Sequence, residues 1–572
     1  MSLTGWLTEP RTGHGLRVAT DDAGWARHDF PSLAAAALDV AGLLRGTGLR
    51  RGEVVSLLLV SPETFLAGFF GTLAAGGVVN PMPPPAGLGA GAAYPEQLTH
   101  LMRVAGTRTV LVDPHLAGTA RRAAAAAGLA VTVLTVAGPD QPDDAGPGRP
   151  VAPAADDPQP PAGDEVALVQ FTSGSSGHPR AVAIRADNLL ANVTAIRRWL
   201  DMGAADVTAT WLPTYHDMGL IGCTLAPVLN QSDILAMRPD QFIRSPRRWL
   251  SCFGEQGATL TAAPTFGYAY AARRIGPDEL AGMDFSDWRA AIVGAERVSR
   301  RTLESFAALL GPHGFRSRAF LPAYGLAENT LVATGLHLAP PPVALRVAGE
   351  LRPGEPVEVT AVEEVGTDPS ADDDWLIGCG GARDGVAVAV VDDEGRPLPP
   401  DVVGEIALTG RSVAAGYHGP DAPDATFADG RLRTGDHGFL HDGQLFVLGR
   451  AGDSLKVRGR NLYAEDLEAR LAGVDGLSPE RVVVLAGSAG HTPVLHALIR
   501  QRPGPWAAEV ARILGREGGP GVRIRVLSVP APAVARTTSG KPRRRPMFRA
   551  ATDGSLPGEV LYDSAEPAAG PR

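Results

Sequence analysis

Short apolar runs alternate with longer amphipathic segments through the first third of the chain. Residues 54–60 (VVSLLLV) form an unbroken apolar run of strand length and predict a buried strand. Ser61 follows, a residue type suited to a helix N-cap, and Pro62 fits the first helical position. Phe65, Phe69, Phe70 and Leu73 then recur at helical spacing. Thr109–Val112, residues 131–136 and Val166–Phe171 predict further strands. This alternation predicts an α/β protein with largely parallel sheets. Residues 139–164 are rich in Pro, Ala, Gly and Asp and read as an exposed connector. A second irregular stretch is expected over 340–374, and a disordered tail over 553–572.

The chain has 572 residues, enough for several domains with large cores. Fifty-three Lys and Arg against 62 Asp and Glu give a net charge of −9, which argues against a general nucleic-acid binder. Three cysteines, Cys223, Cys252 and Cys379, show no CxxC spacing, so neither a disulfide framework nor a zinc site is indicated. The first residues lack the basic-then-apolar order of a signal peptide, and the alanine-rich stretch 33–44 is too short to span a bilayer. The expectation is a cytoplasmic protein without stable membrane insertion.

The strand Val166–Phe171 runs into TSGSSGHPR, residues 172–180. Thr172, Ser173, Ser175 and Ser176 offer hydroxyls, and Gly174 and Gly177 allow close backbone approach. Such a loop can hold phosphate oxygens, with Arg180 adding a fixed positive charge. Taken alone, SGSSG is equally a flexible turn. No GK[ST] closes the loop, which argues against an ordinary P-loop NTPase.

Six further segments follow in order: WLPTYHDMGLIG (211–222), VGAE (293–296), YGLAEN (324–329), RTGD (433–436), GRAGDSLKVRGRNLYAEDLE (449–468) and TTSGKPRR (537–544). With TSGSSGHPR, this set resembles the adenylate-forming superfamily of acyl-CoA synthetases, luciferases and adenylation domains, over about residues 54–545. Within it, YHDMGLIG, APTFGYAYAARRI (263–275), VRGRNLYAEDLE and FFGTLAAGGVVNPMPPP (69–85) look most like the fatty acyl-AMP ligases. The resemblance implies a large N-terminal domain over 1–450, built of α/β layers with a distorted β-barrel part. It implies a small mobile α+β lid over 451–552.

It also implies roles for individual residues. Residues 172–177 would cradle the β- and γ-phosphates of ATP. Glu328 would hold Mg²⁺, a hard carboxylate for a hard cation that keeps most of its waters. The Gly294–Ala295–Glu296 backbone, Tyr324 and Gly325 would flank the adenine, although Tyr324 is also readable as a packed aromatic. Asp436 would accept both ribose hydroxyls with its two oxygens, and Arg450 would approach ribose or phosphate. His216 would stand where acid meets ATP, or else serve as a core histidine. Lys541 is the leading catalytic candidate, since a flexible stem with a compact charge can reach between carboxylate and α-phosphate. The acyl group would run beside Tyr215, His216, Leu220, Ile221, Thr265, Phe266, Tyr268 and Ala323. Gly452 stands where family members pivot, often with Asp or Lys there, which predicts a looser hinge.

The acceptor of the acyl group is less sharply marked. Residues 349–374 carry nine acidic side chains and one basic one, Arg352. This resembles the extra segment of fatty acyl-AMP ligases, which is thought to pack on the large domain and hinder the CoA-using state; it also reads as a plain acidic loop. The expected partner is therefore the phosphopantetheine thiol of an acyl carrier protein rather than CoA. Arg543–Arg545 would steer that partner or form a solvated basic face. The alternatives are an acyl-CoA ligase and a non-catalytic nucleotide- or acyl-binding relative.

Overall fold

The computed structural model describes residues 2–85, 94–136, 157–172, 180–349, 351–367, 375–419, 426–428, 430–457 except 451–453, 460–489, 492–536 and 541–565. The expected loop residues Ser173, Gly174, Ser175, Ser176 and Gly177, and the pivot Gly452, lie outside them.

Two mainly parallel sheets form the bulk of the N-terminal part. In the seven-stranded sheet, Thr132–Thr135, Thr109–Val112, Val54–Leu58, Val78–Pro81 and Val166–Phe171 run parallel; Ala181–Arg185 and Gly416–Tyr417 close it antiparallel. Val54–Leu58 is buried along its whole length, as helix-covered parallel strands are. Pro62 opens the helix Pro62–Ala74; Ser61 precedes it without a side-chain capping bond. The nine-stranded sheet is centred on Val207–Thr210, Leu260–Ala263, Ala290–Val293 and Phe320–Gly325. Helices Phe30–Gly46, Pro62–Ala74 and Ala186–Trp199 contribute to the largest apolar core, together with residues of both sheets.

A third, antiparallel sheet includes Val386–Val391, Gly404–Gly410, Arg431–His441 and Gln444–Arg450. On it lies an ordered part of the stretch 340–374, which was expected to be irregular. Val343–Ala348 and Glu358–Glu364 form an antiparallel hairpin, with Leu376–Ile377 as its third strand. Leu345, Val357 and Leu376 pack with Phe439, Phe446, Leu448 and Tyr463. The acidic hairpin is tied to the large part by Arg300, which bonds Glu363 at 2.8 Å and Glu304 at 2.7 Å. Trp375 lies under both Arg300 and Arg346, at 4.3 and 4.8 Å.

From Leu455 onward the chain has its own apolar clusters. Strands Val482–Ala489, Thr492–Ile499, Arg523–Ser528 and Glu559–Asp563 make a four-stranded sheet. The last of these corrects the expected tail. Glu559–Asp563 pairs with Arg523–Ser528, and buried Asp563 is held by Arg523 at 2.6 Å and Arg525 at 3.0 Å. Arg544 also departs from a uniformly solvated basic face. It is buried, with its guanidinium on Glu468 at 2.9 Å and on the Val484 carbonyl at 3.2 Å. None of the described helices is long and apolar enough to cross a membrane.

Candidate active site

The C-terminal ends of Val166–Phe171, Ala290–Val293 and Phe320–Gly325 meet around a cavity of about 230 Å³. Strand ends at a sheet's carboxyl edge are where open α/β folds collect ligands. Thr172, Tyr215, His216, Gly294, Ala295 and Glu296 line it, with Ala323, Tyr324, Gly325, Glu328, Asp436, Arg450 and Lys541.

Asp436 is the centre of one cluster. It is buried, its Oδ2 accepts from the Tyr324 hydroxyl at 2.7 Å, and its Oδ1 accepts from Arg450 Nε at 3.0 Å. Asp436 and Arg450 face each other across the antiparallel strands Arg431–His441 and Gln444–Arg450, so backbone register sets the pair. Burial, then the charge of Asp436, pushes the Tyr324 phenol well above its ordinary range, which keeps it a hydrogen-bond donor. Tyr324→Phe removes one charge-assisted bond and should raise the KM for ATP about tenfold with little change in kcat. Initial rates over ATP concentration check this.

Glu328 anchors a second cluster. Its Oε1 accepts from the Tyr417 hydroxyl at 2.9 Å, and Arg180 bonds Tyr417 at 3.3 Å while lying 5.1 Å from its ring centroid. Burial pushes the Glu328 carboxyl above the usual carboxylate range, against the pull of Arg450. The turn after it is strained. Thr330, a β-branched residue, has a φ of +64° and is held by donating to the Ser412 carbonyl at 2.7 Å. Buried Asn192 braces the same turn through the carbonyls of Asn329 and Val332, at 3.3 and 2.9 Å. Among the described residues no three His, Cys, Asp or Glu side chains cluster as a self-sufficient metal site. A single carboxylate such as Glu328 instead suits a cation that arrives on a phosphate.

Ala295 turns the chain with a φ of +67°, presenting the 294–296 backbone to the cavity. Glu296 turns back, and its Oε1 accepts from the Phe266 N–H at 2.6 Å, at the start of the helix Thr265–Arg274. Burial raises the Glu296 carboxyl, while the charge of Lys541 acts to lower it. Asp217 is held below the usual range. Burial works to raise it, but the neighbouring His216, 2.8 Å away, the Met218 N–H and Lys541 outweigh that.

Lys541 reaches the cavity from the C-terminal part. Next to it Pro542 pairs with Arg536, and Arg543 N–H donates to the Ala535 carbonyl at 2.9 Å. The C-terminal part is docked by ion pairs Arg297–Asp466 and Arg273–Glu480, the latter 2.7 Å long. Glu465, beside Asp466 on the helix Ala464–Leu471, also lines the cavity. Partly exposed pairs of this sort contribute about 0–1 kcal/mol each, enough to favour a pose without locking it.

The proposed acyl wall is partly corrected. Leu220 and Ile221 belong to the large core, Tyr268 is fully buried with its hydroxyl on the Ile292 carbonyl at 3.0 Å, and Thr265 donates to the Arg297 carbonyl at 3.0 Å. These three segments, and Phe266, do not line the cavity. The first pair sits on a π-helix over Met218–Leu225. Met218 and Gly222, four residues apart on one face, line the cavity, while Leu220 and Ile221 turn to the core. The apolar lining comes instead from Phe171, Ile196, Trp199, Ala262, Leu331 and Val332. Cys379, with Leu376 and Ile377, also lines it; burial pushes the Cys379 thiol up to about 12, where it is an inert small apolar group.

Two-part α/β architecture with a lysine from the smaller part entering the larger part's cleft defines an adenylate-forming enzyme. The chain belongs to the AMP-binding enzyme family, whose model matches residues 9–418. It is 33% identical over 522 residues to a Caulobacter vibrioides protein named for the acyl-CoA synthetases, covering 90% of this chain and 88% of that one. It is 34% identical over 330 residues to TtuA of Teredinibacter turnerae, a medium-chain-fatty-acid–[acyl-carrier-protein] ligase, covering 54% of this chain and 50% of that protein. The fold matches a solved structure from a study of fatty acyl-adenylate ligases of E. coli and L. pneumophila. The TM-score is 0.83 at 27% identity, covering 97% of this chain and 99% of the other.

Proposed function

We propose that this protein joins a fatty or related carboxylic acid to the α-phosphate of ATP, releasing pyrophosphate, and then passes the acyl group to the phosphopantetheine thiol of an acyl carrier protein. The observation that carries this reading is the convergence of Lys541, Glu328 and Asp436 on one cavity. The substrate carboxylate and the triphosphate are both anions, so their meeting needs fixed cations. Lys541 supplies one at the rim, and Arg450 and Arg180 add charge on the Asp436 and Glu328 sides. Asp436 would take the ribose hydroxyls, and the Gly294–Glu296 turn would flank the base. Glu328 would hold Mg²⁺, which lowers the repulsion of the phosphates. Residues 1–450 would form the catalytic body and 451–552, extended by the strand to Asp563, the lid.

Carrier transfer rather than CoA transfer is supported by the TtuA likeness and by the acidic hairpin. That hairpin packs against Tyr463, just past the expected pivot, and is pinned to the body by Arg300. It would therefore resist a large rotation of the lid. The second reading, a CoA ligase, is favoured by the Caulobacter relative, which matches more of the chain. Purified protein charged with ATP, Mg²⁺ and a preferred acid separates them. Addition of a holo carrier protein should discharge the adenylate into a carrier thioester, and CoA should not. Rapid acyl-CoA formation would establish the second reading.

A further inference from the structure

The geometry points to Trp199 as the end wall of the acyl arm, and so to a substrate of short or medium chain length; this inference rests on the acid-adenylating reading above. Trp199 is the last residue of the helix Ala186–Trp199 and lines the cavity together with Ile196, one turn earlier. Leu331 and Val332 complete an apolar arm. Its depth follows from strand register. Gly325 lies opposite Val332 and Ala323 opposite Gly335, so the arm drops about two residues, ~7 Å, from the level of Tyr324–Gly325 to the indole.

The ring is clamped from three sides. Its Nε1–H donates to the Leu336 carbonyl at 2.6 Å. Gly335 lies so close that an added Cβ would stand 2.4 Å from the ring. The Arg383 guanidinium sits 5.8 Å from the ring centroid, itself buried and bonded to the Gly381 carbonyl at 3.1 Å. Gly335, Leu336 and Arg383 do not line the cavity, whereas Trp199 does. The indole therefore divides the arm from what lies beyond. A longer tail would have to displace a hydrogen-bonded ring and then meet a buried guanidinium, an unfavourable neighbour for hydrocarbon. A fixed stop of this kind discriminates by chain length, because methylenes past it find no apolar contact.

Straight-chain acids from hexanoic to palmitic, assayed by pyrophosphate release, test the idea. Wild-type protein should prefer the shorter acids. Trp199→Ala should raise the ratio of kcat/KM for myristic over octanoic acid about tenfold, the scale of one or two methylenes gaining contact. Gly335→Ala should push the indole inward and shift the preference to still shorter acids. If Trp199→Ala does not fold, Trp199→Phe and Gly335→Ala decide the matter by the same ratio. Folded variants with the wild-type chain-length profile would overturn the end-wall assignment and leave the adenylation reading standing. A wild-type protein that activates none of these acids, while activating another class, would overturn this inference; one that activates no acid at all would overturn the underlying reading as well.

Discussion

Lys541→Ala should lower acyl-adenylate formation by about 10²–10³-fold, while the protein melts as the wild type does. The scale is that for losing one preorganised donor to a transition state that gathers negative charge. Lys541 is exposed at the cavity rim, where truncating a side chain changes stability little. Its charge nevertheless acts on Asp217 and Glu296, which belong to different walls of the cleft. A lysine that influences both walls is placed to enter the space between them. The deficit should appear in kcat more than in the KM for ATP, because Asp436, Tyr324 and Arg450 remain to hold the nucleotide. Single-turnover pyrophosphate release gives the rate. A wild-type rate in the variant would remove Lys541 from the chemistry.

Glu328→Gln should separate stability from activity. The glutamate is buried beside Tyr417, and burial raises its carboxyl above the usual range. A raised folded-state pKa makes a contribution to stability that is present at acid pH and lost as pH rises through that pKa. At neutral pH the empty protein thus carries a desolvated carboxylate that destabilises it. The amide has nearly the same shape and can still accept from Tyr417. Without nucleotide, Glu328→Gln should therefore melt higher than wild type at neutral pH, with the difference shrinking toward acid pH. Its adenylation rate should fall about 10²–10³-fold, since the neutral amide is a poor partner for a divalent cation. Apparent Mg²⁺ affinity of the wild type should weaken as pH falls, because protonation competes with the metal. A variant that melts lower at neutral pH, or that keeps wild-type turnover, would contradict this account.

The two examples show what kind of information the amino-acid order held. Thr109–Val112 and Val166–Phe171 were readable because strands covered on both faces are mostly apolar. Glu358–Glu364 was not, since EVTAVEE is largely exposed and its order comes from pairing with Val343–Ala348 and from Arg300. Glu559–Asp563 was hidden likewise: two charged ends and a short middle gave no pattern until a neighbouring strand fixed it. In the site, Tyr324, Glu328, Asp436 and Lys541 stood in motifs and meet in space. Tyr417 and Asn192 did not stand in a motif, and only the fold reveals that one bonds Glu328 and the other braces its turn. Leu220 and Ile221 came to the acyl wall only through the resemblance of their motif, and the fold turns them into the core instead.

The most direct test of the central claim is mass-spectrometric detection of acyl-AMP in mixtures of the purified protein, ATP, Mg²⁺ and a panel of carboxylic acids, with CoA omitted. The account predicts acid-dependent acyl-AMP, formed together with pyrophosphate and nearly absent with Lys541→Ala. Absence of acyl-AMP and pyrophosphate from every acid, with protein that is folded and binds ATP, would contradict it.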